Sequence, residues 1–409
     1  MKIITQLILI FFPLLIHAQY PESGIKIRTI TAGINLEDIN DTESIDKAVE
    51  FLNNAREKYT LAGYEVQTIR IATQNFHLYA ESTITANIIF LKKIDDLAKK
   101  YNVEISIGQI LPPDTYSQEA SLLAIKIINN TERINFSIPI SSKESGVMPK
   151  SIQAASETIM AIAQNSERGI GNFRFTASAN VPPGTPFFPA AYHEGENNFS
   201  IGLESPNALK RSLSKGWFDE KSKEILKNDL DSLFKPIENI AIDIDETFDG
   251  YNYYGIDTSP APGLDASIGE AIEELSGAPF GEPSTLRACS MITDVLKTVN
   301  VKRCGYSGLM LPVLEDKTLA KRAMEGRYDV HELLLYSAVS GTGLDVVPLP
   351  GNISMEQISG LLHDIAALSL KYEDKALSAR LFIVPGKDKG YYFYSDNPYL
   401  TGCTIMNLD

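Results

Sequence analysis

Cysteine is scarce in this chain: Cys289, Cys304 and Cys403 are the only three among 409 residues. At most one internal disulfide can form, so a disulfide-built scaffold is excluded. No pair is spaced CxxC, and neither HExxH nor GxSxG occurs, which leaves thiolate metal sites and the common serine-hydrolase arrangement without support. Positive charge is also short. Against 52 Asp and Glu stand 37 Lys and Arg, a net charge of -15, and no segment is rich in Lys and Arg. A surface with no basic surplus gains nothing from counterion release on nucleic acid and is not drawn to anionic membranes. Low-complexity tracts and the short periods of solenoids are missing too. The opening apolar run, within MKIITQLILIFFPLLIHA (1–18), is too short to span a bilayer comfortably. Lys2 ahead of it and Ala18 behind it give the pattern of a secretory signal peptide, with an uncleaved anchor as the alternative. The mature chain is then expected from near Gln19, in a secreted or periplasmic location.

What is present is an alternation of strands and helices. IKIRTITAGI (25–34), EVQTIRIAT (65–73), VEISIGQI (103–110), RINFSIPI (133–140) and FRFTASANV (173–181) read as strands, separated by four helical patterns. Each interval has the length of a crossover helix, so neighbouring strands are expected to be parallel. The second half continues less regularly. FSIGLE (199–204), NIAIDID (239–245), YSGLML (306–311), VVPLP (346–350) and RLFIVPG (380–386) read as strands, with a long Gly/Pro-rich loop after 245. No linker or shift of composition divides the chain. The expectation is one α/β domain over 19–409, a large closed barrel of about ten strands with surrounding helices. Ligands of such folds sit at the carboxyl ends of the strands, so the polar residues just after each strand are the candidates.

NVPPGTPFFPAAYHEG (180–195) is too rich in proline for a helix interior or a central strand and should be a stiff loop. It ends on His193 and Glu194. Alone among the five histidines, His193 combines rigid flanks with an adjacent acid, which suits a general acid, general base or metal ligand. A loop histidine bonded to a backbone carbonyl is the plain alternative. Asp243 and Asp245, two apart on the expected strand, would share one face, where paired carboxylates call for a cationic or metal partner. Asp257 and Asp265 fall in the Gly/Pro-rich loop, where turn or helix capping is the competing role. Glu315 follows the 306–311 strand and has no capping role, unlike its neighbour Asp316. SGTGLDVVPLPG (340–351) places Ser340, Gly341 and Gly343 before Asp345, a turn able to offer backbone N–H groups to an anion.

Taken together, IRTITAGI, NVPPGTPFFPAAYHEG, YGIDTSPAPGLDASIG, SGLMLPVLEDKTLAKRA and GTGLDVVPLPG resemble, in the same order, the family catalogued as domain of unknown function 711. The resemblance covers nearly the whole mature chain. It implies a fold of the pyruvate formate-lyase-like group, a ten-stranded α/β barrel, and brings no established reaction. Glycyl radical chemistry is not expected. The nearest look-alike of the radical loop, Arg303-Cys304-Gly305-Tyr306, lacks the valine after the arginine and lies about a hundred residues from the end of the chain. Many family members carry cysteine where this chain has Ser340, a far weaker nucleophile.

Two functions stay open on this reading. One is an enzyme with His193, Glu194, Glu315 and Asp345 as catalytic groups, Asp243 and Asp245 on a divalent metal ion, and Asp257, Asp265, Ser340, Gly341 and Gly343 at the substrate. It would run acid-base or metal-assisted hydrolysis, lyase chemistry or isomerisation on a small polar molecule. The other is a secreted protein that binds a small ligand without turnover. The partner is a small molecule in either case, with no nucleic acid and no stable membrane insertion once the leader is removed; a homo-oligomer is compatible.

Overall fold

The computed structural model describes residues 24–213, 218–371 and 375–408. The expected signal peptide lies outside the described residues, and no described helix is long and apolar enough to cross a membrane. The chain order is β1 (Lys26–Ile34), α1 (Glu43–Leu61), β2 (Val66–Thr73), α2 (Ile84–Tyr101), β3 (Glu104–Gln109), α3 (Glu119–Asn130), β4 (Ile134–Ser142), β5 (Gly146–Val147), α4 (Pro149–Gln164), β6 (Phe175–Ala179) and β7 (Asn198–Glu204). There follow α5 (Pro206–Ser212), α6 (Glu220–Thr247), β8 (Asn252–Pro260), α7 (Ile268–Ser276), α8 (Thr285–Leu296), α9 (Lys317–Met324), α10 (Val330–Val339), β9 (Gly343–Pro350), α11 (Met355–Ser369) and β10 (Leu377–Val384).

Strict alternation along the strands builds a sheet with two unlike faces. Ile69 and Ile71 on β2, Ile105 and Ile107 on β3, and Phe136 and Ile138 on β4 join the main hydrophobic core. The helices supply the other side of that core at helical spacing, as α1 does with Ile45, Ala48, Val49, Leu52 and Ala55. The intervening strand residues are small or polar, among them Thr31, Ser106, Ser137, Ser200 and Asp257, and all five are buried. A second, smaller apolar cluster of Val181, Phe187, Ala190, Ala261, Tyr306, Met310 and Ala376 lies apart from the first. Buried polar strand residues need partners, and for Thr31 and Ser106 loop backbone supplies them. Thr31 Oγ1 donates to Pro186 O at 2.9 Å and Ser106 Oγ to Ala191 O at 2.6 Å.

The sheet has ten strands in the order β8-β7-β1-β2-β3-β4-β6-β10-β9, with β5 paired to β4. β1, β2, β3, β4 and β6 run parallel, as expected. β7 meets β1 antiparallel and β10 meets β6 antiparallel, while β8 is parallel to β7 and β9 to β10. The strands therefore point in two opposite directions, and the molecule has no single carboxyl end.

Four expectations need correction. The ladder is open rather than a closed barrel: β8 and β9 are its edges. Between them runs the 301–314 segment, which bridges β8 only at Ile256–Arg303 and β9 only at Pro312–Asp345. The strand expected at 306–311 does not form, because the Tyr306 and Ser307 N–H groups go to the Asp257 carboxylate at 2.8 and 2.9 Å instead of to a ladder. NIAIDID is the end of α6, whose buried Leu226, Leu230, Phe234, Ile237, Ala241 and Ile244 hold a helical period. Over a 28-residue element that period overrides six residues of local alternation. The stretch taken for a Gly/Pro-rich loop begins with a strand, β8.

Candidate functional site

The proline-rich loop is inserted against the polar face of the sheet rather than standing at a mouth. Gly184 N donates to Tyr192 O at 2.9 Å, closing the loop on itself, and His193 N donates to Thr73 O at 2.9 Å at the end of β2. The backbone of β1 makes room for it: a Cβ on Gly33 would lie 2.4 Å from His193 Nδ1. His193 is fully buried. Its Nε2 lies 3.1 Å from Gly195 O and its Nδ1 3.3 Å from Asn198 Nδ2. One neutral tautomer satisfies both contacts, Nε2–H donating and Nδ1 accepting, and burial lowers the imidazole's pKa against the Gly195 bond. The structure thus corrects the view of His193 as projecting into an open cavity. Glu194 is exposed at one hollow of about 600 Å³, beside His77, Gln109 and Tyr192 at the ends of the parallel strands.

The larger hollow, about 770 Å³, lies towards the other end, lined from the beginnings of β1, β2, β3 and β4, from Phe173 and Arg174 before β6, and from early positions of β9 and β10. Glu315 and Asp345 meet there on one guanidinium. Arg380 Nε donates to Asp345 Oδ1 at 2.7 Å and Nη2 to Glu315 Oε1 at 2.8 Å. Burial works against the charge of Arg380, yet Asp345 and Glu315 together hold its pKa above the ordinary arginine value. The Phe173 ring lies 5.1 Å below that guanidinium. Across the hollow stand Glu104, Arg70 and Arg133. Burial raises the Glu104 carboxyl above its usual range, with Arg70 and Arg133 pulling it back. The apolar part of the wall comes from Phe187, Phe188, Tyr306 and Met310, so the tip of the inserted loop reaches this hollow while its base stays at the far end.

The remaining candidates do not join this group. Asp243 and Asp245 sit on helix α6 rather than on a strand. Asp243 is exposed and paired with Lys58, and Asp245 accepts Tyr253 N at 2.7 Å. Among the described residues no group of three or more His, Cys, Asp or Glu could hold a metal ion. Asp257 is a strand residue, buried and committed to the backbone N–H groups of Ser259, Tyr306 and Ser307; burial raises its pKa to about 6. Asp265 is exposed, 3.4 Å from Lys26. Ser340 O accepts the Lys375 ammonium at 2.7 Å, and Gly341 N is taken by Leu309 O at 3.2 Å, so that N–H is not offered to an anion. Gly343 has φ +87°, and a Cβ there would lie 2.3 Å from Ser378 O; its smallness serves close strand packing. Cys289, Cys304 and Cys403 are free and buried.

Glu104 and Arg70 were not candidates in the sequence because they stand at the start and middle of strands, where a carboxyl-end rule does not look. One signal for them was available: a charged residue at an inward position of an otherwise apolar, buried strand.

Related proteins match this chain over most of its length. A UPF0210 protein of Halothermothrix orenii is 26% identical over 397 residues, covering 90% of this chain and 88% of its own length. One from Methanocorpusculum labreanum is 26% identical over 398 residues, at 90% and 87% coverage. A third, from Clostridium perfringens, is 24% identical over 395 residues, at 90% and 88%. The family model described as Uncharacterised ACR (DUF711) matches residues 21–394, and the chain belongs to that family.

Proposed function

We propose that the protein is an enzyme that moves protons on a small polar substrate held in the hollow between Glu104 and the Glu315–Arg380–Asp345 group. The observation that carries this reading is the meeting of carboxyl groups in unlike surroundings around one space. Glu315 and Asp345 each give one oxygen to Arg380, leaving Glu315 Oε2 and Asp345 Oδ2 for a substrate. Glu104 is raised by burial, the setting of a proton donor. In the proposed step a Glu315 oxygen takes a proton from substrate and Glu104 delivers one to the oxygen where negative charge develops. Such chemistry belongs to the isomerase, lyase or hydrolase kind and needs no thiol or hydroxyl nucleophile.

We read this open sheet, with 301–314 running between its edge strands, as an opened relative of the pyruvate formate-lyase-like barrel. Residues 1–18 are read as an export signal, so N-terminal sequencing of the natural product should begin near Gln19. The competing function is ligand binding without turnover, favoured by Arg380 itself, which already engages one oxygen of each carboxylate. Incubation with a bacterial metabolite extract and untargeted mass spectrometry separates the two. Consumption of a compound by the wild type, abolished by Glu315→Gln and Glu104→Gln but not by Glu194→Gln, supports the enzyme. Consumption indifferent to both cavity variants refutes it, and retention of a compound without consumption identifies a binding protein.

A further inference from the structure

We infer that the molecule bound in the larger hollow is a small monocarboxylate whose carboxylate is anchored by Arg70. This rests on the reading of that hollow as the active site and adds the class of its substrate.

Five guanidinium groups line the hollow: Arg28, Arg70, Arg133, Arg174 and Arg380. Arg380 is taken by Glu315 and Asp345. Arg174 donates to Ile134 O, Ile128 O and Thr131 O, at 2.8 or 2.9 Å. Arg133 lies 3.4 Å from Glu104, and Arg28 lies 3.5 Å from Glu204 and 3.0 Å from Gln67 Oε1. Neither Arg174 nor Arg70 has a carboxylate within 4.0 Å among the described residues, but the Arg174 fork is filled by carbonyls. Arg70 Nε donates to Thr68 Oγ1 at 3.2 Å, and among the described residues no hydrogen bond engages its two terminal nitrogens. Burial, and Arg28 after it, lower its pKa to about 10, so it remains charged at neutral pH.

Arg70 is part-buried, with its terminal nitrogens turned to the hollow and not paired among the described residues; an anion there gains a charge-assisted contact that no group of the protein already occupies. Geometry selects the kind of anion. Arg70 lies in register between Thr31 and Glu104 on the neighbouring strands, and the Phe188 ring covers one face of its plane at 5.1 Å. The open edge of the fork is what remains, and it matches the two oxygens of a planar carboxylate. Glu104 and Glu315 act on the same site, so one negative charge is neutralised there while a dianionic phosphate meets their repulsion. The organic part of the ligand lies along Phe188 and Tyr306.

The test needs no knowledge of the natural substrate. Propionate, lactate and benzoate, their neutral amides, and inorganic phosphate are titrated separately into wild-type protein at low salt by calorimetry. The acids are expected to bind at least about tenfold more tightly than their amides, the scale of one charge-assisted contact. Arg70→Gln should remove that preference, and Glu194→Gln, at the other hollow, should leave it. Acids and amides binding alike, no acid binding up to about 50 mM, or phosphate binding more tightly than every acid would each overturn the inference. The acid–amide comparison is made on the wild type, so it decides even if Arg70→Gln does not fold. Acid binding through Arg70 without any turnover would sink the enzyme reading and leave this one standing. Turnover of a neutral compound, lost in Glu315→Gln, would do the reverse.

Discussion

Replacing Arg380 by methionine removes the one cation from a group whose three side chains are only 9%, 13% and 14% exposed for Arg380, Glu315 and Asp345. Two carboxylates then face each other around an apolar side chain. Breaking a buried pair by deleting one partner costs about 3–5 kcal/mol, because the remaining charge stays desolvated. An unfolding entropy of about 2.1 cal/mol/K per residue gives roughly 0.8 kcal/mol per degree for a chain of this length. The melting temperature should therefore fall by roughly 4–6 °C. Adding Glu315→Gln and Asp345→Asn to Arg380→Met removes the stranded charges and should recover more than half of the loss, since neutral replacement of a whole buried ion group is often tolerated. Calorimetric melts of the wild type, the single variant and the triple variant read this directly. A single variant that melts with the wild type, or a triple variant no better than the single, would show that the guanidinium does not hold these carboxylates in solution.

Three other outcomes are expected. Asp257 has its folded pKa raised by burial to about 6, above the unfolded value of about 3.9; its contribution to stability is full below the unfolded pKa and is lost as pH rises through the folded one. Urea unfolding at pH 4 and pH 7 should show roughly 2 kcal/mol of this loss in the wild type, absent in Asp257→Asn; equal pH dependence in both contradicts it. Gly33→Ala places a Cβ 2.4 Å from His193 Nδ1 and should destabilise by about 1–3 kcal/mol, as overpacking does, with a neutral result in urea melts placing the inserted loop elsewhere. Asp243→Asn touches only an exposed pair with Lys58 and should change stability by less than about 1 kcal/mol, with turnover of any substrate unaltered.

Alternation made the five parallel strands legible, since Ile69 and Ile71 or Phe136 and Ile138 mark one face wherever they occur. What the sequence could not reveal was direction. Nothing local in FSIGLE says that β7 returns antiparallel to β1, nor in RLFIVPG that β10 returns antiparallel to β6, and the second reversal brings early positions of β9 and β10, Asp345 and Arg380 among them, to the hollow that the starts of β2 and β3 line. Glu315 was reached from a strand at 306–311 that does not form and Asp345 from the glycine turn before it, while Glu104 and Arg70, at the start and middle of strands, were missed. His193 misled for a related reason: a stiff loop with an imidazole looks alike whether it rims a cavity or fills one. Only the partners decide, and here Gly195 and Asn198 take both ring nitrogens. Asp243 and Asp245 misled because IAIDID satisfies a period of two as well as the tail of a longer helical period.

Crystals soaked with 3-bromobenzoate, a stable monocarboxylate bearing an anomalous scatterer, test the central claim most directly. The account predicts a bromine peak in the 770 Å³ hollow, near Phe188 and Tyr306, with the carboxylate on the open edge of Arg70. A peak instead beside His77 and Glu194, or none in either hollow at saturating concentration, would contradict it.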